Sequence, residues 1–288
     1  MLLANFRYAR PDSVEEAVEA LAGTPHARVL AGGQTLLNAL KLRLVRADLL
    51  VDVTRIEALR RITREPDGAL VLGAAATYDE VARSPLVLEH HPLTAAMTSR
   101  LVDRQVRARG TVGGNVCLAD PTSNYPPLLV ALGARLRLRG PDGPREIPAD
   151  EFFVAPYMTT IGDAELLEAV VLPPLHDDDG VAYESLQVGT DSWALARASA
   201  LIRSNGTVSD ARIVLGCGSI PVRQRAAEQA LIGGPLTPET LAAAVAAVGE
   251  DFDPPTDVHA SSAYRTAMAK VMARRAIVAA TTKETRHG

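Results

Sequence analysis

Apolar and polar positions divide this chain into stretches with different periods. Ser13-Val14-Glu15-Glu16 is a capping box, a pattern in which a hydroxyl and a carboxylate satisfy the first free N–H groups of a helix. The helix it opens is predicted to run to about Ala22, with Gly23 as its stop. Apolar runs at 28–30 and 49–53 read as strands on either side of a helix over 35–42, giving a small α/β unit across residues 1–55. A second unit, 56–175, is expected to hold a strand near 69–73 and a second capping box at Thr77-Tyr78-Asp79-Glu80. A helix near 92–99 and a strand near 134–139 follow. Pro173-Pro174 and His176-Asp177-Asp178-Asp179-Gly180 have the composition of a linker that is first rigid, then acidic and solvated. The remainder, 181–283, mixes strands at 182–188, 193–202 and 211–216 with helices. Its last helix, about 262–281, sets Tyr264, Met268, Val271 and Met272 on one face, a stripe expected to serve packing.

Two double-glycine loops carry the chemistry. The first, Ala31-Gly32-Gly33-Gln34-Thr35, follows Val29-Leu30 at the end of a predicted strand, and Leu36 continues into the helix behind it. The second is Thr111-Val112-Gly113-Gly114-Asn115. Adjacent glycines can reach φ > 0 and let a ligand approach the backbone, so that several N–H groups converge on one anion. A helix N-terminus adds unpaired N–H groups and a favourable dipole. One such loop is commonly a plain tight turn. Two suit a pyrophosphate, and hence a dinucleotide. Neither G-x-G-x-x-G nor G-x-x-x-x-G-K-[ST] occurs, so the common nucleotide fingerprints are absent.

Composition narrows the classes. A net charge of −4 offers no broad basic surface for nucleic acid. Arg100, Arg104, Arg107 and Arg109 form a local basic stretch before the second loop, either a solvated face or an attractor for a diphosphate or a partner. The two cysteines, Cys117 and Cys217, cannot hold an iron–sulfur cluster by themselves and read as reduced thiols. No apolar run approaches membrane-spanning length and no signal-peptide pattern opens the chain, so the expected location is cytoplasmic. There is no G-x-S-x-G elbow and no H-E-x-x-H, and His90-His91 adjoins Pro92 at a helix start, where a structural role outweighs metal binding. No catalytic acid–base set and no metal site is read.

The residues resemble the FAD-binding medium subunit of the molybdenum hydroxylases, the group of carbon monoxide, nicotine and xanthine dehydrogenases. That family shows an AGG-x-[ST] loop and a T-[IVL]-GG-[ND] loop, matched by 31–35 and 111–115. Phe6-Arg7-Tyr8-Ala9-Arg10-Pro11, Leu50-Val51-Asp52-Val53, Leu72-Gly73-Ala74, Asp120-Pro121, Pro126-Pro127-Leu128-Leu129, Tyr264-Arg265 and Arg274-Arg275-Ala276 extend the likeness over essentially the whole chain. It implies an α+β protein: a two-subdomain FAD-binding fold of the vanillyl-alcohol-oxidase type, followed by a C-terminal α+β domain.

Carried over residue by residue, the resemblance makes 29–36 and Thr111, Gly113, Gly114 and Asn115 the pyrophosphate and ribityl contacts of FAD. Ser123 and Asn124 fall in the segment that lies along the flavin, where Asn124 stands for a usual Asp. Leu167, in Glu165-Leu166-Leu167, is either a neighbour of the ring or core. Ser185 replaces a usual Lys near the flavin. With Asn124, the site loses one positive and one negative charge, changes expected to oppose each other. Trp193 falls at a position often aromatic beside the isoalloxazine, with a core tryptophan as the competing reading.

The resemblance implies a flavin subunit that takes electrons from [2Fe-2S] clusters of a small partner, upstream of which a large molybdopterin-binding subunit oxidises the substrate. It also implies a dimer of heterotrimers and an acceptor such as a quinone or NAD. Two alternatives stand beside it: a self-contained flavoprotein oxidase, and a non-redox scaffold subunit with a vestigial site.

Overall fold

The computed structural model describes residues 3–189 and 193–282. The expected ends of the first and last units, at residues 1 and 283, lie outside the described residues. The N-terminal part is a three-stranded parallel sheet in the order Arg7–Ala9, Leu49–Asp52, Ala27–Leu30. Leu49 and Val51 face Val14, Ala17, Val18 and Leu21 of the helix Val14–Ala22, while Leu50 packs on the other side with Leu40 of the helix Leu36–Lys41. The central strand therefore buries both faces, which is why it reads as an unbroken apolar run. Ser13 caps the first helix as expected, but Glu16 returns its carboxylate to the N–H of Asp12 and not to that of Ser13. The box at Thr77 closes in both directions.

A five-stranded antiparallel sheet follows, in the order Ile62–Arg64, Leu70–Gly73, Leu166–Leu172, Arg135–Gly140, Gly143–Pro148. Alternation is clean in Arg135–Gly140. Leu136 and Leu138 enter the core, while Arg137 pairs with Glu65 and Glu146, and Arg139 pairs with Glu168, on the outer face. The fully buried helix Tyr125–Leu132 packs against the strands Ala194–Ser204 and Val208–Gly216 of a third sheet. That sheet runs Asp179–Gln187, Ala194–Ser204, Val208–Gly216, Val222–Arg223, all antiparallel.

Several expectations change. The strands Arg7–Ala9, Ile62–Arg64, Gly143–Pro148 and Leu166–Leu172 were not anticipated. The second glycine loop is the first turn of a helix, Val112–Leu118, capped by Thr111. Asp179, expected in a solvated linker, is buried at the start of a strand with both carboxylate oxygens on Arg203. On the helix Ser262–Thr281 the buried face is Arg265, Ala269, Met272, Ala273, Ala276, Ile277 and Ala280. Tyr264 and Val271 point outward, because alanines let the helix approach the sheet more closely than the larger side chains do.

His91 tests the packing of the middle unit. It is buried before the helix Pro92–Ser99, and neither ring nitrogen has a hydrogen bond among the described residues. Burial holds the imidazole at about 4 against an ordinary 6.5, opposed by the nearby Pro173 carbonyl. The unfolded chain thus takes up this proton near pH 6.5 and the folded chain only near 4, so stability falls as pH drops through that window, by roughly 3 kcal/mol in full. Urea midpoints at about pH 7.5 and 4.5 should differ less in His91→Leu than in the wild type. Equal differences would rule this out.

Candidate functional site

The site begins where the parallel strands end. Ala27–Leu30 and Leu49–Asp52 run the same way, so the glycine segment 31–35 and Asp52 emerge at one edge, the carboxyl end where open α/β sheets bind ligands. Asp52 is held by Tyr8 and Thr54; burial acts to raise its pKa, but these hydrogen bonds bring it below the ordinary value. Gly33 has φ +70, the left-handed region that favours glycine. Among the described residues, the N–H groups of Gly32, Gly33, Gln34 and Thr35 meet no acceptor. Four adjacent donors are thereby left for a ligand. Val29 and Leu30 lead into them, and Leu36 opens the following helix.

The second glycine segment is built differently. Its N–H groups are engaged within the protein: Val112 on Ala76, Gly113 on Ala74, and Gly114 on the Thr111 hydroxyl at 3.1 Å. Gly113 is buried against Ala74, whereas Gly114 is exposed. What this segment offers is side-chain chemistry. Asn115 donates to the Tyr78 hydroxyl while its carbonyl oxygen stays buried without a partner, so it suits a ligand hydroxyl and not a phosphate. The two segments meet directly. A Cβ on Gly32 would lie 2.2 Å from the Arg109 carbonyl oxygen. Arg100, Arg104 and Arg109 are exposed and form no ion pair among the described residues, and Arg107 donates to the carbonyls of Leu101 and Val102.

From Thr111 the seven-residue helix carries the chain about 10 Å to Ala119, in the left-handed region, and to the turn 120–124. Asp120 closes that turn by accepting from the N–H and hydroxyl of Thr122. Ser123 is buried and Asn124 half-buried at the head of the helix Tyr125–Leu132. Arg197, which the sequence reading passed over, reaches the Thr122 carbonyl from the third sheet. It stands opposite Ser185, and Tyr183 opposite Ser199. Burial pushes the Tyr183 phenol up to about 12, with Arg197 opposing. The signal for Arg197 was available: one charged residue inside the mostly apolar run 194–202.

Leu167 lies in the main core, 5% exposed, beside a β-bulge at Leu167/Ala169. Glu168 in that bulge accepts the Ala74 N–H, which ties the strand to the second glycine segment. Trp193 is 66% exposed, so it is not a core tryptophan. Burial raises both cysteine thiols, Cys117 to about 12, which removes them as nucleophiles.

A parallel unit with open backbone donors, locked to an antiparallel unit and faced by a third sheet, defines a protein built to hold an extended dinucleotide. The family described as "FAD binding domain in molybdopterin dehydrogenase" matches residues 4–175, and "CO dehydrogenase flavoprotein C-terminal domain" matches 181–280. The chain belongs to this family of FAD-binding medium chains of molybdenum hydroxylases. It is 37% identical to the carbon monoxide dehydrogenase medium chain of Hydrogenophaga pseudoflava, over 97% of this chain and 98% of that protein. It is 31% identical to the nicotine 6-hydroxylase medium subunit of Paenarthrobacter nicotinovorans, over 97% and 99%. The solved carbon monoxide dehydrogenase of H. pseudoflava that lacks the Mo-pyranopterin moiety contains a chain similar to this one at TM-score 0.94 and 38% identity, covering 99% of each. The residues present fit FAD: unengaged N–H groups suit its phosphates, and the orphaned Asn115 oxygen suits a sugar-chain hydroxyl.

Gly32→Ala should part the two glycine segments, and Gly33→Val should strain the left-handed turn. Both are expected to lose FAD, read as flavin absorbance per chain after desalting. Thr111→Val removes a helix cap, costs about 1 kcal/mol, and should keep most of the flavin. Stoichiometric flavin in both glycine variants would refute this view of the loops.

Proposed function

We propose that this chain is the flavin-holding subunit of a heteromeric molybdenum hydroxylase, working with a large molybdopterin-binding subunit and a small [2Fe-2S] subunit. The observation that carries it is the row of four N–H groups at 32–35 that are unengaged among the described residues, joined to Tyr183, Ser185, Arg197 and Ser199 by one short helix and the turn after it. Its relatives are medium chains of such enzymes. When bound, FAD supplies a carrier that takes electrons singly and releases them in pairs. The chain's own residues bind and orient it. In this reading the N–H groups of 32–35 hold the phosphates and Asn115 takes a hydroxyl. Ser123, Asn124, Ser185 and Leu167 border the ring, and Trp193 shields it from water. Two cysteines are too few to ligate a cluster, so in this reading the clusters that feed the flavin belong to another chain. A dimer of heterotrimers and an acceptor such as a quinone or NAD complete the proposal.

The test is expression with and without the two partner chains. The isolated chain should show an oxidised-flavin spectrum that carbon monoxide, N-heterocycles, purines and aldehydes all fail to bleach. One of these should bleach it in the full complex. Bleaching of the isolated chain would favour a self-contained oxidase, and absence of flavin would favour a vestigial site.

A further inference from the structure

We propose that Arg197 is the fixed cation of the flavin site, acting on the ring from inside the third sheet; the inference rests on the flavin reading above. Arg197 is 1% exposed, yet it has no carboxylate partner among the described residues. Its terminal nitrogen donates to the Thr122 carbonyl, its guanidinium carbon lies 5.6 Å from the Tyr183 ring centroid, and its Nε meets no acceptor among the described residues. Other buried or half-buried arginines of this part differ: Arg265 pairs with Asp257, Arg203 with Asp179 and Arg223 with Glu228. Asp120, the acid nearest in chain to Thr122, turns one oxygen to Thr122 and the other to the Tyr157 hydroxyl.

The orphaned groups are not scattered. Ser185 faces Arg197 across the strand pair and Tyr183 faces Ser199, so period-two alternation sets all four on one face. Tyr183 Oη, Ser185 Oγ, Arg197 Nε and Ser199 Oγ are four of the eight buried side-chain atoms without a hydrogen bond among the described residues. The face they share is the one from which Arg197 meets the turn 120–124, and Cys217 beside it donates its N–H to the Pro121 carbonyl. An unpaired guanidinium in a desolvated place is costly and calls for compensating negative charge. A ring that gains negative character on reduction supplies that compensation, and a cation beside it favours the reduced form.

The test is potentiometric titration of bound FAD in the assembled complex, together with flavin retention on dilution. Arg197→Gln should lower the midpoint potential and weaken FAD retention several-fold, while Arg197→Lys stays near the wild type. Arg197→Gln combined with Ser185→Lys moves the charge to the facing position and should restore the potential. Ser185→Lys alone should raise it, and this variant stands if Arg197→Gln fails to fold. An unchanged potential in folded, flavin-bearing Arg197→Gln or Ser185→Lys would make Arg197 a structural anchor of Thr122 and overturn the proposal. A wild-type chain without flavin would instead overturn the reading on which it rests.

Discussion

The close approach of Gly32 to the backbone of Arg109 and Gly110 is the contact on which the rest of the site depends. Gly32 presses from the parallel unit, with no room for even a methyl group, and Gly110 is pressed in turn by the Tyr78 ring, 2.7 Å from where a Cβ would sit. The Tyr78 N–H holds the Gly110 carbonyl. Two backbones and an aromatic ring therefore meet without side chains between them, and the junction has one available depth. Thr111 follows at once, so the position of the helix it caps is set from this seam. Everything further along, the turn 120–124 and its contact with Arg197, inherits that position.

The division of labour between the two glycine pairs follows from what surrounds them. After Leu30 the chain leaves the sheet and enters a short helix, so the N–H groups between have no strand or helix partner. After Gly110 the chain runs antiparallel to 74–77 for a few residues, and the N–H groups of Val112 and Gly113 are taken by that neighbour. The second pair is therefore scaffold: Gly113 lets the helix start against Ala74, and the helix delivers Asn115. Hydrogen bonds to charged groups contribute about 1.5–3 kcal/mol each, about twice the neutral kind. The free donors of the first segment are thus worth more to an anion than anything the second exposes.

The sequence showed these features unevenly, for physical reasons. The helix Val14–Ala22 was legible because Ser13 and Gly23 mark both ends. The strand Leu166–Leu172 was not, since Glu168 breaks its apolar run at a β-bulge. The edge strand Gly143–Pro148 begins and ends near prolines and is largely exposed, so nothing in it repeats with period two. Val112-Gly113-Gly114-Asn115 are poor helix formers, and tertiary hydrogen bonds override that propensity. The glycine segments were found by motif, but the distinction between engaged and open N–H groups depends on the neighbour at 74–77, which no local pattern reveals. The basic residue that matters to the third sheet was visible as a break in an apolar run, yet its importance lies in facing Ser185, a matter of register.

The third sheet has two unlike faces, and this explains how a buried cation can be held still. Ala196, Ala198, Ala200 and Ile202 turn toward the helix Ser262–Thr281, whose own contact residues are mostly alanines. Small residues on both sides let backbone approach backbone; at Gly180 a Cβ would fall 1.5 Å from the Ala280 carbonyl oxygen. Such packing leaves the strand little room to shift. Arg265 on that helix fastens its end by donating to the Leu195 carbonyl while paired with Asp257. The opposite face of the same strand carries Arg197 and Ser199, so apolar contact holds them from behind while the Thr122 carbonyl and the Tyr183 ring hold Arg197 in front. Both side chains are almost fully buried, so the charge and hydrogen-bonding groups they carry act where water competes little.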